Sequence, residues 1–295
     1  MSIQWFPGHM AKTRKLIQEN IKNIDVIVEI LDARIPLSSK NPLIDSMIKG
    51  TPRLVILNKA DLADEKRTND WIEYFNSHED TKAIQINSLT DAKHIKKLIK
   101  DNIEILTKDK RAKKLSRGIK SFAVRVMIVG IPNVGKSTFI NSLIGKQSAK
   151  VGNKPGVTRG KQWIKLDKEI EIMDTPGILW PKFDDPEAGI KLALTGAIKD
   201  DLFDFENVAL KLISYLQTHY PMALQDRYKL DDETLTMDSG QLLSIIATKR
   251  GCLLSGGRTD TKKVSSIVIN EFRKGMIARI TLETPQEMER HSENE

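Results

Sequence analysis

The chain has 295 residues, 40% of them hydrophobic and 29% charged, with a net charge of +8 and a single cysteine. That is enough chain for one large core or two smaller ones. No apolar run approaches the roughly 18 residues of a membrane span, and the start "MSIQWFPGHM" lacks the basic-then-apolar pattern of a secretory leader. A lone Cys252 excludes an internal disulfide and reads as a small buried hydrophobe, so the expected location is the cytoplasm. The positive surplus sits in the first 180 residues; the remainder is slightly acidic except for a basic run from Lys249 to Arg279. Two readings follow, a polyanionic partner or a lysine-rich solvated surface.

Five short runs rich in β-branched residues read as buried strands: 25–33, 53–58, 82–87, 122–130 and 169–174. Helical patterns fall between many of them, as in 94–108, where Ile95, Leu98, Ile99 and Ile103 share one face. Strands alternating with helices predict a mostly parallel sheet covered on both sides. Segment 108–120, "KDKRAKKLSRGIK", links the two halves of this region and reads either as a solvated helix end and loop or as a phosphate-contacting patch. Beyond residue 178 the strand pattern stops, and 186–198, 205–220 and 262–276 have the periodicity of amphipathic helices. The expected organisation is an α/β domain over 1–180 and a smaller helical domain over 185–295.

The phosphate-handling chemistry is the most specific feature. "GIPNVGKS" matches G-x-x-x-x-G-K-[ST] at Gly130, Gly135, Lys136 and Ser137, after a strand and before a helix. Backbone N–H groups of such a loop and the helix N-terminus face the phosphates. Lys136 is expected to reach the β- and γ-phosphates and the Ser137 hydroxyl to ligate Mg²⁺. Asn133, Val134, Gly135, Lys136, Ser137 and Thr138 are thus the expected phosphate-binding set. "DTPG" at 174–177 ends a strand with Asp174, a metal-side carboxylate acting through water, and Gly177, whose backbone N–H suits the γ-phosphate. Thr158, in "KPGVTRG", is the candidate for a further Mg²⁺ ligand on a switch loop; a plain turn residue is the alternative.

Far upstream, "LVILNKADL" ends a strand with N-K-x-D at Asn58, Lys59 and Asp61. A carboxylate here accepts hydrogen bonds from guanine N1–H and N2–H₂, and adenine would leave it unpaired. Asn58 would contact the base edge, and the Lys59 stem would cover the ring. "QINSL" ends the next strand and offers Asn87 and the Ser88 backbone N–H to guanine O6. The base reader therefore precedes the phosphate loop.

This order resembles that of the circularly permuted GTPases, and "WFPGHM" (5–10) with "DARIPLSS" (32–39) is similar to signatures of the ribosome biogenesis GTPase A family, the YlqF/RbgA type. The resemblance runs over effectively the whole chain. It implies a permuted P-loop GTPase domain and a ribosome-stimulated GTP hydrolase. The implied partner is the precursor of the large ribosomal subunit and its rRNA. In Ras-type enzymes a glutamine after D-x-x-G orients the attacking water; here Ile178 stands there, and the family resemblance makes His9 the candidate substitute. An imidazole can hold a water near neutral pH; the alternative is that His9 orders the N-terminal loop. Related P-loop GTPases carrying the loop asparagine use K⁺, which makes Asn133 either a K⁺ ligand or a structural residue. Lys249, Arg250, Arg258, Lys263, Arg273 and Lys274 are the expected RNA contacts, on a glycine-containing loop and a helix. The runner-up function is a GTP-timed switch acting on a protein effector. A monomer and no membrane association are expected.

Overall fold

A computed structural model describes residues 8–87, 92–119, 122–144, 162–177, 179 and 185–287, with backbone only at 8–12 and 162. Six strands form one sheet: β1 (Val26–Asp32), β2 (Arg53–Asn58), β3 (Thr81–Ile86), β4 (Val124–Val129), β5 (Gln162–Lys165) and β6 (Ile170–Asp174). Their spatial order is β3-β2-β1-β4-β6-β5, parallel throughout except for the antiparallel edge pair β5–β6. Every residue of β1 is buried, as expected of a strand in mid-sheet with layers on both faces.

The chain moves outward in one direction from β1 through β2 to β3, then returns to place β4 on the other side of β1. The crevice beyond the carboxyl ends of β1 and β4 is thus a topological switch point, where open α/β sheets bind ligands. The first-domain helices are α1 (Gly8–Asn20), α2 (Pro42–Ile48), α3 (Glu65–Asn76), α4 (Ala92–Ser116) and α5 (Lys136–Ile144). Asp64 caps α3 by accepting from the Arg67 N–H, and Asn41 caps α2 in the same way through Leu43 N–H.

The second region is helical: α6 (Pro186–Thr195), α7 (Phe205–His219), α8 (Pro221–Tyr228), α9 (Asp232–Leu235), α10 (Ser239–Lys249) and α11 (Thr261–Arg273). Aspartates 185, 204, 231, 238 and 260 each cap the helix that follows. Helix α7 is the hub, packed against α6, α8, α10 and α11. On α11, Val264, Val268 and Phe272 are buried, as their spacing predicts, and Cys252 is buried as well.

Two features differ from the sequence reading. The helix expected at 94–108 continues to Ser116, so much of the basic linker is helical. It runs on because no proline or glycine intervenes before Gly118. The four-residue β5 was not expected; an edge strand of alternating Gln162, Trp163, Ile164 and Lys165 carries too little hydrophobic pattern to be seen alone.

After α11 the chain returns to the sheet. Residues 276–284 form an extended strap between the β1 and β2 loops and the helical layer. Ile280 N–H donates to Leu62 O at 3.1 Å and Leu282 N–H to Arg34 O at 2.8 Å. The Thr281 hydroxyl donates to Ala33 O at 3.2 Å and accepts from Asp64 N–H at 3.1 Å.

Candidate nucleotide-binding site

The P-loop turns from β4 into α5, and its glycines are dictated by close approach. At Gly135, with φ at +95°, a Cβ would lie 2.3 Å from Asn58 Nδ2. Gly177, at the end of "DTPG", packs so tightly that a Cβ would sit 2.9 Å from Pro132 N and 3.0 Å from Lys136 Nζ. No side chain larger than hydrogen fits at either place.

Lys136 opens α5 and is 7% exposed. Burial pushes its ammonium down to about 8, with the nearby Asp174 carboxylate pulling the other way. Asp174 ends β6 and is itself buried; burial raises its carboxyl above the ordinary range, against the pull of Lys136. Its Oδ1 is buried and has no hydrogen-bond partner among the described residues. A buried carboxylate oxygen with no partner among the described residues is a hard oxygen donor of the kind Mg²⁺ takes, so the residues fit that ion. The next residue, Thr175, donates its hydroxyl to Ile128 O at 2.7 Å and fastens this loop to β4.

The base-reading loop meets the phosphate loop directly. Asn58 is buried and donates from Nδ2 to Val134 O at 2.6 Å. Lys59 is left-handed, with φ at +61°, and its Nζ lies 2.8 Å from Asn133 O. Asp61 is exposed on the short 3₁₀ turn Ala60–Leu62, at the carboxyl edge of the sheet. Asn87 directly follows β3. The structure thus brings Asn58, Lys59, Asn133, Val134, Gly135, Lys136, Asp174 and Gly177 to one edge, with Ser137 and Thr138 in the first turn of α5. Ser88, Thr158 and Ile178 lie outside the described residues, as does the side chain of His9, whose backbone opens α1.

Asn133 is also left-handed, and its Nδ2 donates to Gly196 O, beyond α6, at 2.7 Å. The P-loop therefore touches the helical region. The sequence reading did not single out Asp32 or Arg34 beyond the "DARIPLSS" stretch, yet both are at most 2% exposed beside the site. Asp32 Oδ2 accepts from Lys59 Nζ at 2.8 Å and from Arg34 Nη2 at 2.7 Å. The available signal was an acid closing an all-apolar strand with a cation two residues later.

Among the expected RNA contacts, Lys249, Arg250, Arg258, Lys263 and Lys274 are exposed, and Arg273 is half-buried. Arg250 pairs with Glu271, and Lys249 Nζ donates to Lys229 O at 2.8 Å. Arg273 has an internal role: it donates to Ala193 O at 2.8 Å and Leu194 O at 3.1 Å and pairs with Asp200.

A protein from Bacillus cereus named Ribosome biogenesis GTPase A is 49% identical to this chain over 287 residues, covering 97% of this chain and 95% of that protein. The chain belongs to the ribosome biogenesis GTPase A family. As a member of ribosome biogenesis GTPase A it is a GTP-hydrolysing enzyme of ribosome biogenesis. A family model described as "50S ribosome-binding GTPase" matches residues 125–234, beginning in β4 and leaving the N-K-x-D strand upstream of the match. A GDP-bound YlqF structure is 26% identical, has a TM-score of 0.65 and covers 92% of this chain and 99% of that one. A GNP-bound YlqF from T. maritima, also 26% identical, has a TM-score of 0.61 and covers 93% and 98%. Among the described residues no helix is long and apolar enough to cross a membrane.

Proposed function

We propose that this GTPase binds the precursor of the large ribosomal subunit in the cytoplasm as a monomer, contacts its rRNA through the helical region, and turns over GTP fastest on that particle. The carrying observation is the union of base reader and phosphate loop: Asn58 holds Val134 O and Lys59 holds Asn133 O. Asp61 reads guanine, Lys136 and the P-loop N–H groups hold the phosphates, and Gly177 stands where a γ-phosphate would touch it. Ser137, Thr158 and, through water, Asp174 are the residues that would hold Mg²⁺. When bound, the ion neutralises charge on the β- and γ-phosphate oxygens.

Unaided hydrolysis is slow on this reading, because Ile178 offers no hydrogen bond to a water. His9 supplies it once the particle has placed the N-terminal segment. Asn133 ligates K⁺ beside the phosphates, and equal rates in K⁺ and Na⁺ buffers would exclude that role. Arg258, Lys263 and Lys274 meet backbone phosphates, with Lys249, Arg250 and Arg273 contributing at the edges of their internal pairs.

The test is GTP turnover by the purified protein in K⁺ buffer, alone, with mature large subunits and with precursor particles. Stimulation by either particle is expected, together with a steep loss of binding as salt rises. A switch acting on a protein effector is the second reading. It draws support from the internal pairing of Arg250 and Arg273 with Glu271 and Asp200. It predicts no stimulation by subunits and nucleotide-dependent capture of a protein from nuclease-treated extract.

A further inference from the structure

The buried ionic chain behind the base loop continues past the nucleotide site. Asp32 Oδ1 accepts from Arg34 Nε at 2.9 Å and from the Arg34 backbone N–H at 3.1 Å, while Oδ2 takes Arg34 Nη2 and Lys59 Nζ. The carboxylate is thereby held from two sides by a guanidinium fork and capped by the lysine of N-K-x-D. Arg34 has its remaining nitrogen, Nη1, 3.3 Å from Arg273 O at the end of α11, and its guanidinium lies 5.4 Å from the Phe272 ring centre. Arg34 is 2% exposed, with α11 against its guanidinium and the strap against its backbone, where Leu282 N–H donates to its carbonyl. A second connection runs in parallel, from Asn133 of the P-loop to Gly196 O, and Arg273 reaches the same turn through Ala193 O and Leu194 O.

We infer that Asp32 and Arg34 are positioning residues for the guanine nucleotide: they fix Lys59 against the base, and they make that hold depend on docking of the carboxyl end of α11. The inference rests on the reading of Asn58, Lys59 and Asp61 as the guanine pocket.

The physical basis is geometric. Lys59 is a left-handed non-glycine residue, a conformation that persists only when its surroundings impose it. The backbone is held by the turn that follows, where Leu62 N–H donates to Lys59 O at 2.9 Å, and two hydrogen bonds at Nζ, to Asn133 O and Asp32 Oδ2, stretch the aliphatic stem along the site. Loss of Asp32 leaves a half-buried ammonium with one anchor. Undocking of α11 admits water to Arg34, and a solvated guanidinium holds a carboxylate far less firmly than a buried bidentate one. Since coupling is reciprocal, whatever moves the helical region changes nucleotide affinity, and nucleotide steadies the helical region by the same factor.

This route is separate from the γ-phosphate side. It senses the base, so it acts alike on GDP and GTP. It also leaves Asp61 untouched, so the choice of base is unaffected.

The experiment is nucleotide binding to the full-length chain, followed with a fluorescent GDP and by competition with GTP and inosine diphosphate. Wild type is compared with Asp32→Asn, which keeps shape, and Arg34→Lys, which keeps charge but loses the fork. Each variant is expected to weaken GDP and GTP equally, by about tenfold for one lost charge-assisted hydrogen bond, chiefly through faster dissociation. The guanine-to-inosine ratio should stay at its wild-type value, which a general loosening of the pocket would not preserve. Hydrogen exchange supplies the second readout: GDP should slow exchange at 193–197 and 270–276 in wild type and not in Arg34→Lys. Affinities indistinguishable from wild type in both variants overturn the positioning role, as does a base ratio that falls with affinity. Unaltered exchange at those segments in wild type overturns the coupling to α11. Failure of wild type to bind any guanine nucleotide overturns the pocket reading and this inference with it.

Discussion

Gly135 and Asn58 show how little freedom the site leaves at single positions. A methyl at 135 would lie 2.3 Å from the Asn58 amide, in a backbone conformation with φ at +95°. Gly135→Ala should therefore cost roughly 1–3 kcal/mol of strain and weaken GTP binding well beyond its effect on unfolding, measurable by titration calorimetry beside urea denaturation. Asp61 is the opposite case, exposed, and its proposed role lies in the ligand. Asp61→Ala should leave stability unchanged and reduce discrimination of GTP over ATP by about a hundredfold or more, because no unpaired carboxylate then penalises adenine. Competition binding tests it. Asp32 titrates instructively. Burial alone would raise its carboxyl, but Arg34 and then Lys59 outweigh that and hold it well below its ordinary 3.8. A depressed value means that the stability it contributes is complete above about pH 4 and is lost as pH falls through the folded value. The gap in unfolding free energy between wild type and Asp32→Asn should be flat from neutral pH down to about 4 and shrink below it.

Among the elements, the strap at 276–284 decides how the helical region sits. Glu283 is fully buried at its end. Its carboxylate accepts from Leu37 N–H at 2.6 Å, from the Ser38 N–H and hydroxyl, and pairs with Lys191 of α6 at 3.3 Å. Burial pushes the carboxyl up, opposed by Lys191 and Ser38. Removing it leaves two backbone donors without their acceptor and Lys191 with Glu287 alone, so Glu283→Ala should lower stability by about 3–5 kcal/mol, and Glu283→Gln by less, in urea unfolding. None of this was legible in the sequence. "RITLET" has no periodicity that says whether it turns outward or lies against the sheet, and its partners on the sheet side are more than two hundred residues away. The strands β1, β2, β3, β4 and β6 were legible, each within one or two residues, because a strand buried on both faces must be apolar along its length. Helices α8 and α10 were not, since short helices around α7 bury only a few side chains each and leave little pattern.

For the molecule as a whole, the sequence runs from the "DTPG" that ends β6 to the start of α6 at Pro186, so the segment expected to sense the γ-phosphate is covalently tied to the helical region. A GTP-like ligand and GDP should therefore give different small-angle scattering curves, and identical curves would exclude repositioning driven by the γ-phosphate. The surface cations of the helical region separate by the same logic. Lys263→Glu and Lys274→Glu should lower RNA affinity and its salt dependence without changing stability. Arg273→Glu should also destabilise the fold, because it loses the Ala193 and Leu194 carbonyls and places an acid beside Asp200.

The sequence by itself carried the motifs behind the proposed chemistry: a phosphate loop between a strand and a helix, N-K-x-D at the end of an earlier strand, and an acid at the end of a later one. Local motifs suffice there because the ligand's own geometry prescribes residue types at short spacing. A mostly parallel sheet with those motifs at its carboxyl edge was expected as well, but the strand order, with β1 between β2 and β4, came from the structure. What only the tertiary structure decided was how the site connects outward. The Asp32–Arg34 pair is local, but Lys59 reaches Asp32, Arg34 reaches Arg273 O, and Glu283 reaches Leu37 and Ser38 across distances of sequence that no spacing rule spans, because only burial in the folded core brings them together.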